Sequence, residues 1–289
     1  MGDVDGVEVI VAKSVAFLGP AGTYTEEAAK LYAPGADLVA CASLPDVVAA
    51  VDRGTVDEGV APIENSIAGS INDIVDALIG AQRARITGEL LLPIHICLIA
   101  PEGTDTANIR RVRSKAEALG QCRRFLHQTL PNATLEPFDS TAGAIASLKG
   151  SDGSVAALGP EQAALLHGMK VIQQGVEDRK NNVTRFVVLG RQAPERSGRD
   201  KTSIVFDFDR EDAPGLVYAA LKPFADMGIN LTKIESRPTG AKMGVYYFLV
   251  DFDGHETDEN VQTVFQLLQQ HTAMFKVLGS YPKAPAPTV

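Results

Sequence analysis

The chain lacks several features that mark common classes of protein. Its 289 residues contain three cysteines, Cys41, Cys97 and Cys122, without metal-ligand spacing, which fits a reducing compartment and argues against a disulfide framework. The histidines form no short-range cluster, and no glycine-rich dinucleotide motif is present. We therefore expect neither a metal nor an organic cofactor.

Positive charge and long apolar runs are also scarce. The formal net charge is −9, so neither nucleic acid nor an anionic membrane is an expected partner, because both attract basic surfaces. No apolar run approaches the length that spans a bilayer, and residues 1–13 lack the basic start and apolar core of a signal peptide. The sequence therefore predicts a cytoplasmic protein.

Strand and helix patterns alternate through the first two thirds of the chain. Strands predicted at 15–18 and 59–63 are each followed by a helix, and residues 90–99 are predicted to form one extended central strand. Thr23 with Glu26, and Ser114 with Glu117, have the spacing of a capping box at the start of a helix. This alternation predicts α/β layers around a mostly parallel sheet.

A polar linker at 194–201 precedes a second, smaller region. Over residues 202–282 the patterns follow the order β-α-β-β-α-β, which predicts a ferredoxin-like domain. Its open sheet favours pairing with a second copy, so we expect a homodimer or homotetramer. The proline-rich residues 283–289 are expected to be a disordered tail.

The most informative segment is 181–190, in which two asparagines, Thr184 and Arg185 precede a continuously apolar strand. A threonine hydroxyl at such a junction can bind an anionic ligand or donate to a leaving group. The segment 64–66, Glu-Asn-Ser, follows another buried-type strand. In open α/β sheets these junctions line the ligand crevice, and helix N-termini attract anions. An ordinary loop-to-strand junction is the alternative interpretation.

Together these motifs resemble bacterial prephenate dehydratases that carry a C-terminal ACT regulatory domain. The resemblance covers nearly the whole chain in order and is carried by residues 19–24, 61–66, 69–70, 88–89, 121–122, 182–186, 214–215 and 234–238. It implies an α/β fold with a two-lobed, periplasmic-binding-protein-like catalytic region at 1–193 and a ferredoxin-like ACT domain. By the same resemblance, lobe 1 spans about 13–81 and 176–193, and lobe 2 about 82–175.

The resemblance also implies a reaction and the residues that perform it. Prephenate would lose CO2 and its ring hydroxyl to give phenylpyruvate, in phenylalanine biosynthesis, with Thr184, Glu64 and Gln121 as catalytic residues. Contacts with substrate are implied for Thr23, Asn65, Ser66, Ser114, Asn182, Arg185 and Phe186. Binding of the effector L-phenylalanine is implied for Gly215, Leu216, Val217, Glu235, Ser236, Arg237 and Pro238.

The sequence departs from the family pattern at two places and leaves two other functions open. Lys115-Ala116 follows Ser114 where many relatives have His-Pro, and Leu216 replaces a smaller residue, which would narrow the effector pocket. One alternative function is the dehydration of arogenate, which would use the same catalytic residues. The other is a non-catalytic amino-acid sensor, which would not need hydrogen-bond donors suited to elimination.

Overall fold

A computed structural model describes residues 13–208, 213–240 and 244–285. In chain order its strands are β1 (Ser14–Leu18), β2 (Asp37–Cys41), β3 (Glu58–Asn65), β4 (Gly69–Ser70), β5 (Arg85–Pro93), β6 (Cys97–Ala100), β7 (Arg111–Ser114), β8 (Thr134–Pro137), β9 (Val155–Gly159), β10 (Lys170–Gln173), β11 (Val183–Gly190), β12 (Asp200–Asp207), β13 (Leu231–Pro238), β14 (Tyr246–Asp253) and β15 (Met274–Pro282). Its helices are α1 (Tyr24–Tyr32), α2 (Leu44–Arg53), α3 (Asn72–Gly80), α4 (Ala116–Gln121), α5 (Arg123–Thr129), α6 (Thr141–Ala146), α7 (Glu161–His167), α8 (Leu216–Asp226) and α9 (Glu259–Gln269). In these ranges no helix is long and apolar enough to cross a membrane.

The first lobe is built on a sheet of order β2-β1-β3-β11-β5. Strands β1, β2 and β3 are parallel, whereas β11 returns from the second lobe and runs antiparallel to both of its neighbours. Phe186 and Val188 on β11 join a core that includes second-lobe residues, while Val187 and Leu189 join a core on the opposite face. Burial on both faces explains the continuously apolar run that the sequence shows at this strand.

The second lobe has a sheet of order β10-β6-β9-β7-β8. The predicted single strand at 90–99 is wrong, because β5 ends in the first sheet at Pro93 and β6 begins in the second sheet at Cys97. Proline has no N–H to continue a ladder, and the next amide, Ile94 N–H, donates instead to Asn182 O at 2.8 Å. The crossing into lobe 2 therefore follows Pro93, whereas the predicted boundary at 82 falls before β5.

The third unit is the predicted β-α-β-β-α-β domain, with an antiparallel sheet of order β13-β14-β12-β15. Helices α8 and α9 cover one sheet face with a core that contains Phe206, Phe224 and Phe252. The opposite face packs on the first lobe, where Leu249 and Tyr281 share a core with Leu189 of β11. The domain is therefore docked on the catalytic region over an apolar surface.

Both ends of this domain differ in detail from the prediction. The linker at 194–201 is shorter than predicted, because Asp200 and Lys201 already pair with β15 as part of β12. Residues 283–285, the described part of the predicted tail at 283–289, contact the rest of the chain, which contradicts the prediction for these residues. Lys283 Nζ lies 2.5 Å from Asp253 Oδ1, and Ala284 N–H donates to Glu89 Oε1 at 3.1 Å. Residues 286–289 and 1–12 lie outside the described part of the chain.

Candidate active site

Thr184 and Asn65 face each other across the ladder between β11 and β3. Asn65 Nδ2 donates to Thr184 Oγ1 at 2.9 Å, while Asn65 Oδ1 accepts the backbone N–H groups of Ile67 and Ala68 at 3.0 and 2.9 Å. These two N–H donors fix the orientation of the amide, because only its oxygen accepts hydrogen bonds. The Thr184 hydroxyl thus accepts from Asn65, and its own proton meets no acceptor among the described residues. It is free to donate to a bound molecule.

Asn182 extends this polar chain from the first lobe into the second. Its Oδ1 accepts from Asn65 Nδ2 at 2.7 Å, and its Nδ2 donates to Gln121 Oε1 at 3.0 Å. Gln121 ends helix α4 of the second lobe, and its own amide N–H groups have no protein acceptor in the described ranges. The structure therefore brings together four predicted residues, Thr184, Asn65, Asn182 and Gln121, where the two lobes meet.

Ser66 and Thr23 use their hydroxyls to hold the chain in place. Ser66 Oγ donates to Asn181 O at 3.1 Å and accepts Val183 N–H at 2.9 Å, which ties the end of β3 to the start of β11. Thr23 is the N-cap of α1, as predicted, and its Oγ1 accepts Glu26 N–H at 3.3 Å. The two hydroxyls therefore hold the start of β11 and the start of α1, respectively.

Glu64 and Arg185 lie on the opposite face of the same strand pair, because successive side chains in a strand alternate between faces. Arg185 is 7% exposed and donates to Glu89 at 2.7 Å, Asp251 at 2.5 Å and Tyr281 at 2.7 Å. Glu64 Oε2 lies 3.5 Å from Arg185 NH1 on this face. The placement argues against the predicted catalytic role of Glu64 and against the predicted contact of Arg185 with substrate.

Phe186 and Ser114 are also placed as structural residues. Phe186 is 1% exposed in the core beneath Thr184. Ser114 is the last residue of β7, is fully buried, and donates to Leu158 O at 2.7 Å. Helix α4 has Lys115 as its N-cap, without a side-chain bond, so the capping box predicted at Ser114 is wrong. Pairing of β7 with β8 extends through Ser114 and takes that residue into the sheet.

A cavity of about 680 Å³ also lies at the junction of the lobes, and it contains none of the predicted site residues. Its walls are Tyr24, Glu27, Pro93, His95, Cys97, Pro160, Glu161, Gln162, Leu165, Gln174, Gly175 and Lys180. Burial raises the pKa of the Glu27 carboxyl at its edge. These walls come mainly from α1, α7 and the two segments that connect the lobes. Because the segments are distant in sequence, no local sequence motif predicts the cavity.

The described residues offer neither a metal cluster nor an activated thiol. No group of three or more His, Cys, Asp or Glu side chains in the described ranges is placed to hold a metal ion. Burial raises the pKa of the Cys122 thiol to about 12 and also raises that of Cys97. A neutral thiol is a weak nucleophile.

The predicted effector residues separate into two groups. Gly215, Leu216 and Val217 line a cavity of about 400 Å³ at the start of α8, with Phe208, Ala213, Pro214, Tyr218, Gly244, Val245, Tyr246 and Phe248. Glu235 and Arg237 do not line it. Alternation along β13 turns both toward the catalytic region, where Glu235 accepts a hydrogen bond from Ser70, and Arg237 NH2 lies 2.6 Å from Asp76 Oδ2. Ser236 and Pro238 lie exposed on the other face.

Comparisons with known proteins agree with this architecture. Residues 15–194 match the family described as "Prephenate dehydratase", and residues 203–266 match the ACT domain. A prephenate dehydratase of Methanocaldococcus jannaschii is 37% identical over 277 residues, which cover 93% of this chain and 98% of the relative. An arogenate dehydratase/prephenate dehydratase of Arabidopsis thaliana is 38% identical over 280 residues, which cover 93% of this chain and 72% of the relative.

A solved structure gives the same result. The prephenate dehydratase of Arthrobacter aurescens, solved in complex with L-Phe, aligns with a TM-score of 0.87 and 37% identity. The alignment covers 96% of this chain and 92% of that structure. The chain belongs to the prephenate dehydratase family and carries an ACT domain after its catalytic region.

Proposed function

We propose that this protein converts prephenate to phenylpyruvate, releasing CO2 and water, and that Thr184 is the hydrogen-bond donor to the departing hydroxyl. Family membership supports the reaction. The observation that carries the residue assignment is the Asn65 amide, which donates to Thr184 Oγ1 and leaves the hydroxyl proton without a protein acceptor among the described residues.

The reaction needs one proton and no change in redox state. As the ring carboxylate leaves as CO2, the electron pair of the broken C–C bond enters the ring. The ring becomes aromatic and expels the C4 hydroxyl, which takes up a proton and departs as water. Aromatisation makes the overall change strongly favourable, so the protein has to hold the dianion and support the departing oxygen.

Thr184 and Asn65 divide this task. Threonine is a poor acid, so its hydroxyl first stabilises the departing oxygen as a hydrogen-bond donor and transfers its proton late in bond cleavage. Negative charge then grows on Oγ1, where the Asn65 N–H group already donates. Gln121 lies two hydrogen bonds from Asn65, and its N–H groups, which have no acceptor among the described residues, would orient the substrate from the second lobe.

We further propose that L-phenylalanine binds in the cavity at Gly215. Helix α8 begins there without a side-chain cap, and the N–H groups of Val217 and Tyr218 have no acceptor among the described residues, which suits a carboxylate. Phe208, Val245 and Phe248 supply an apolar wall for an aromatic ring. The Arthrobacter aurescens relative was solved with L-Phe, which supports the choice of ligand.

A second copy of the chain would complete this regulatory unit. In the described part of the sheet β13 is an edge strand that pairs with β14 alone, and Ile234 on it is 48% exposed. Edge pairing of two such strands would give a homodimer, and the alternative is a homotetramer built from two such dimers.

Arogenate remains the second candidate substrate, because a plant relative carries both activities in its name. The test is to incubate the purified protein with prephenate and, separately, with arogenate, and to follow phenylpyruvate and phenylalanine formation by ultraviolet absorbance or chromatography. We expect phenylpyruvate from prephenate to form with the higher kcat/KM. A higher kcat/KM for arogenate would reassign the substrate, and product from neither would favour the amino-acid sensor.

A further inference from the structure

Strand β14 stands between the effector cavity and the strand that carries Thr184. Its even-numbered residues Tyr246 and Phe248 line the 400 Å³ cavity. Its odd-numbered residues face the catalytic region, where Leu249 packs in the core of the first lobe and Asp251 contacts Arg185. Phe248 and Asp251 are three positions apart, or about 10 Å of extended chain. Strand β14 therefore contacts both the effector cavity and Arg185, the neighbour of Thr184 in β11.

The contact of Asp251 with Arg185 is part of a group of charges at the junction of the ACT domain and the first lobe. Glu89 accepts from Arg185 at 2.7 Å and from Lys201 Nζ at 2.8 and 2.9 Å. Tyr281 is fully buried, accepts from Arg185 NH2 at 2.7 Å, and lies 2.6 Å from Ser203 Oγ. The group continues to Glu64, whose Oε2 lies 3.5 Å from Arg185 NH1 and 3.4 Å from Lys233 Nζ. Removing one charge leaves another buried without its partner, which is costly.

These contacts hold the guanidinium in its charged form. Burial opposes the charge on Arg185, but its contacts with Tyr281, Asp251 and Glu89 outweigh burial and raise its pKa above the ordinary value. Asp251, Tyr281 and Lys201 belong to the ACT domain, whereas Arg185 and Glu89 belong to the first lobe. Two of the three residues that accept hydrogen bonds from Arg185, Asp251 and Tyr281, therefore belong to the ACT domain.

Arg185 is joined to Thr184 by one peptide bond in β11. A shift of the guanidinium that moves its backbone also moves Thr184, and its hydroxyl must be held to about 0.5 Å for a productive donor geometry. The hydrogen bond from Asn65 is then lengthened or realigned as well. A displacement of β14 would thus move Asp251, then Arg185 through their ion pair, and then Thr184 through the peptide bond that joins it to Arg185.

We propose that the Arg185–Asp251 contact transmits occupancy of the ACT cavity to Thr184. The inference rests on the proposed function, in which Thr184 is the donor and L-phenylalanine occupies the cavity. An occupant that packs against Tyr246 and Phe248 favours one position of β14, and Asp251 carries that preference across the domain junction.

The experiment compares Asp251→Asn with Asp253→Asn in the full-length protein. Both changes remove one charge without changing the shape of the side chain, and both positions lie on the same face of β14. Asp253 contacts Lys283 and Asn230 instead of Arg185, so it is the matched control. Prephenate turnover at sub-saturating substrate is measured over a titration of L-phenylalanine, and binding of L-phenylalanine is measured by calorimetry on the same samples.

In the wild-type protein and in Asp253→Asn, L-phenylalanine should change turnover by about 5-fold or more, the lower end of typical allosteric coupling. In Asp251→Asn the change should fall below about 2-fold while L-phenylalanine still binds, since the cavity itself is intact. Tyr281→Phe, which removes a second contact of Arg185, should weaken the response in the same direction. It keeps the test decisive if Asp251→Asn does not fold.

Equal responses to L-phenylalanine in the wild type and in the folded variants of Asp251 or Tyr281 would overturn the inference and leave the proposed function standing. A wild-type protein that turns over prephenate without responding to bound L-phenylalanine would also overturn it. Absence of prephenate turnover in the wild type would overturn the proposed function, and the inference with it.

Discussion

The Asn65 amide acts on Thr184 in two ways that follow from a single contact. It occupies a lone pair of Oγ1, which directs the hydroxyl proton elsewhere, and it stabilises negative charge on that oxygen. The side-chain amide of Asn65 cannot flip by 180°, because its oxygen already accepts the N–H groups of Ile67 and Ala68. At the residue scale, the donor is therefore a pair of side chains on neighbouring strands.

Thr184→Ala should lower kcat by roughly 100-fold or more, the usual cost of removing one preorganised donor. The change deletes the hydroxyl and a methyl group at a position near the lobe junction, so the fold should persist. Steady-state kinetics and circular dichroism check both points, with Thr184→Ser as the control that keeps the hydroxyl. A folded Thr184→Ala protein with near wild-type kcat would remove Thr184 from the mechanism.

Asn65→Asp tests the direction of the hydrogen bond separately from the hydroxyl itself. The introduced carboxylate keeps an acceptor for Ile67 and Ala68 but has no N–H, so the Thr184 hydroxyl would donate to this carboxylate and not to the leaving group. We expect a loss of kcat on the order of 100-fold, and a lower melting temperature, because the carboxylate also loses the hydrogen bond to Asn182 Oδ1. If kcat were unchanged, the polarisation of Thr184 by Asn65 would play no part in turnover.

At the element scale, the docking of β15 over β5 depends on one glycine. A Cβ on Gly279 would lie 2.8 Å from the carbonyl carbon and 2.9 Å from the Cα of Ile86, so the two backbones touch. Gly279→Ala should therefore separate the ACT domain from the first lobe and cost about 1–3 kcal/mol of stability, as overpacking typically does. Calorimetric unfolding measures this change.

The matched control for that variant is Gly80→Ala at the end of α3, where an added Cβ meets nothing within 4 Å. It should leave the unfolding transition at or above its wild-type temperature, since alanine restricts the unfolded chain. Equal unfolding temperatures for Gly279→Ala and wild type would mean that the junction can relax around the methyl group.

The crossing segments between the lobes carry a buried carboxylate whose charge depends on pH. Burial opposes the charge on Glu177, but the Ile96 N–H group, its own N–H and His95 hold the pKa of the carboxyl below its ordinary value of 4.5. A carboxyl with a lowered folded pKa stabilises the fold above pH 4.5, and this contribution disappears as the pH falls through the folded value.

Glu177→Gln should consequently be less stable than wild type at neutral pH, because the amide cannot carry the charge that these contacts stabilise. The difference should shrink as the pH falls below 4.5. Urea unfolding of both proteins across a pH series measures it. A difference that stays constant over the whole series would show that the charge on Glu177 makes no contribution.

The sequence predicted most elements because their signals are local. The apolar run of β11 and the β-α-β-β-α-β order of the ACT domain depend on periodicity and turn residues alone. The capping box predicted at Ser114 is wrong, since the hydroxyl donates instead to Leu158 O, which lies 44 residues away along the chain. Glu64 and Asn65 are adjacent in one motif, yet strand alternation sends them to opposite faces. Contacts between domains leave no local signature, so the neighbours of Arg185 were missed.

At the scale of the whole molecule, the ACT domain is packed against the catalytic region and not merely tethered to it. Val205, Leu249, Leu278 and Tyr281 of the ACT domain belong to the same apolar cluster as Val187 of β11. Lys276 Nζ adds hydrogen bonds to Leu78 O at 2.8 Å and Ile79 O at 3.0 Å at the end of α3. A structural change in the ACT domain therefore affects the catalytic region across a continuous packed surface.

A chain that ends at Ala193 should keep measurable dehydratase activity and lose its response to L-phenylalanine. Thr184, Asn65, Asn182 and Gln121 all precede the cut, so the donor and its hydrogen-bonded partners are retained. Without Asp251, Arg185 still pairs with Glu89 and its free donors face water, which leaves no charge buried without a partner. The cut exposes the apolar face of β11, so the fragment should unfold at a lower temperature.

Turnover of the fragment and of the full-length protein is compared over a titration of L-phenylalanine, with circular dichroism to establish that the fragment is folded. Flat activity in the fragment beside a several-fold change in the intact protein is the expected result, because the residues that line the Gly215 cavity are absent. A folded fragment that responds to L-phenylalanine as the intact protein does would place the effector site in the catalytic region. The cavity between the lobes beside His95 would then be the site to test next.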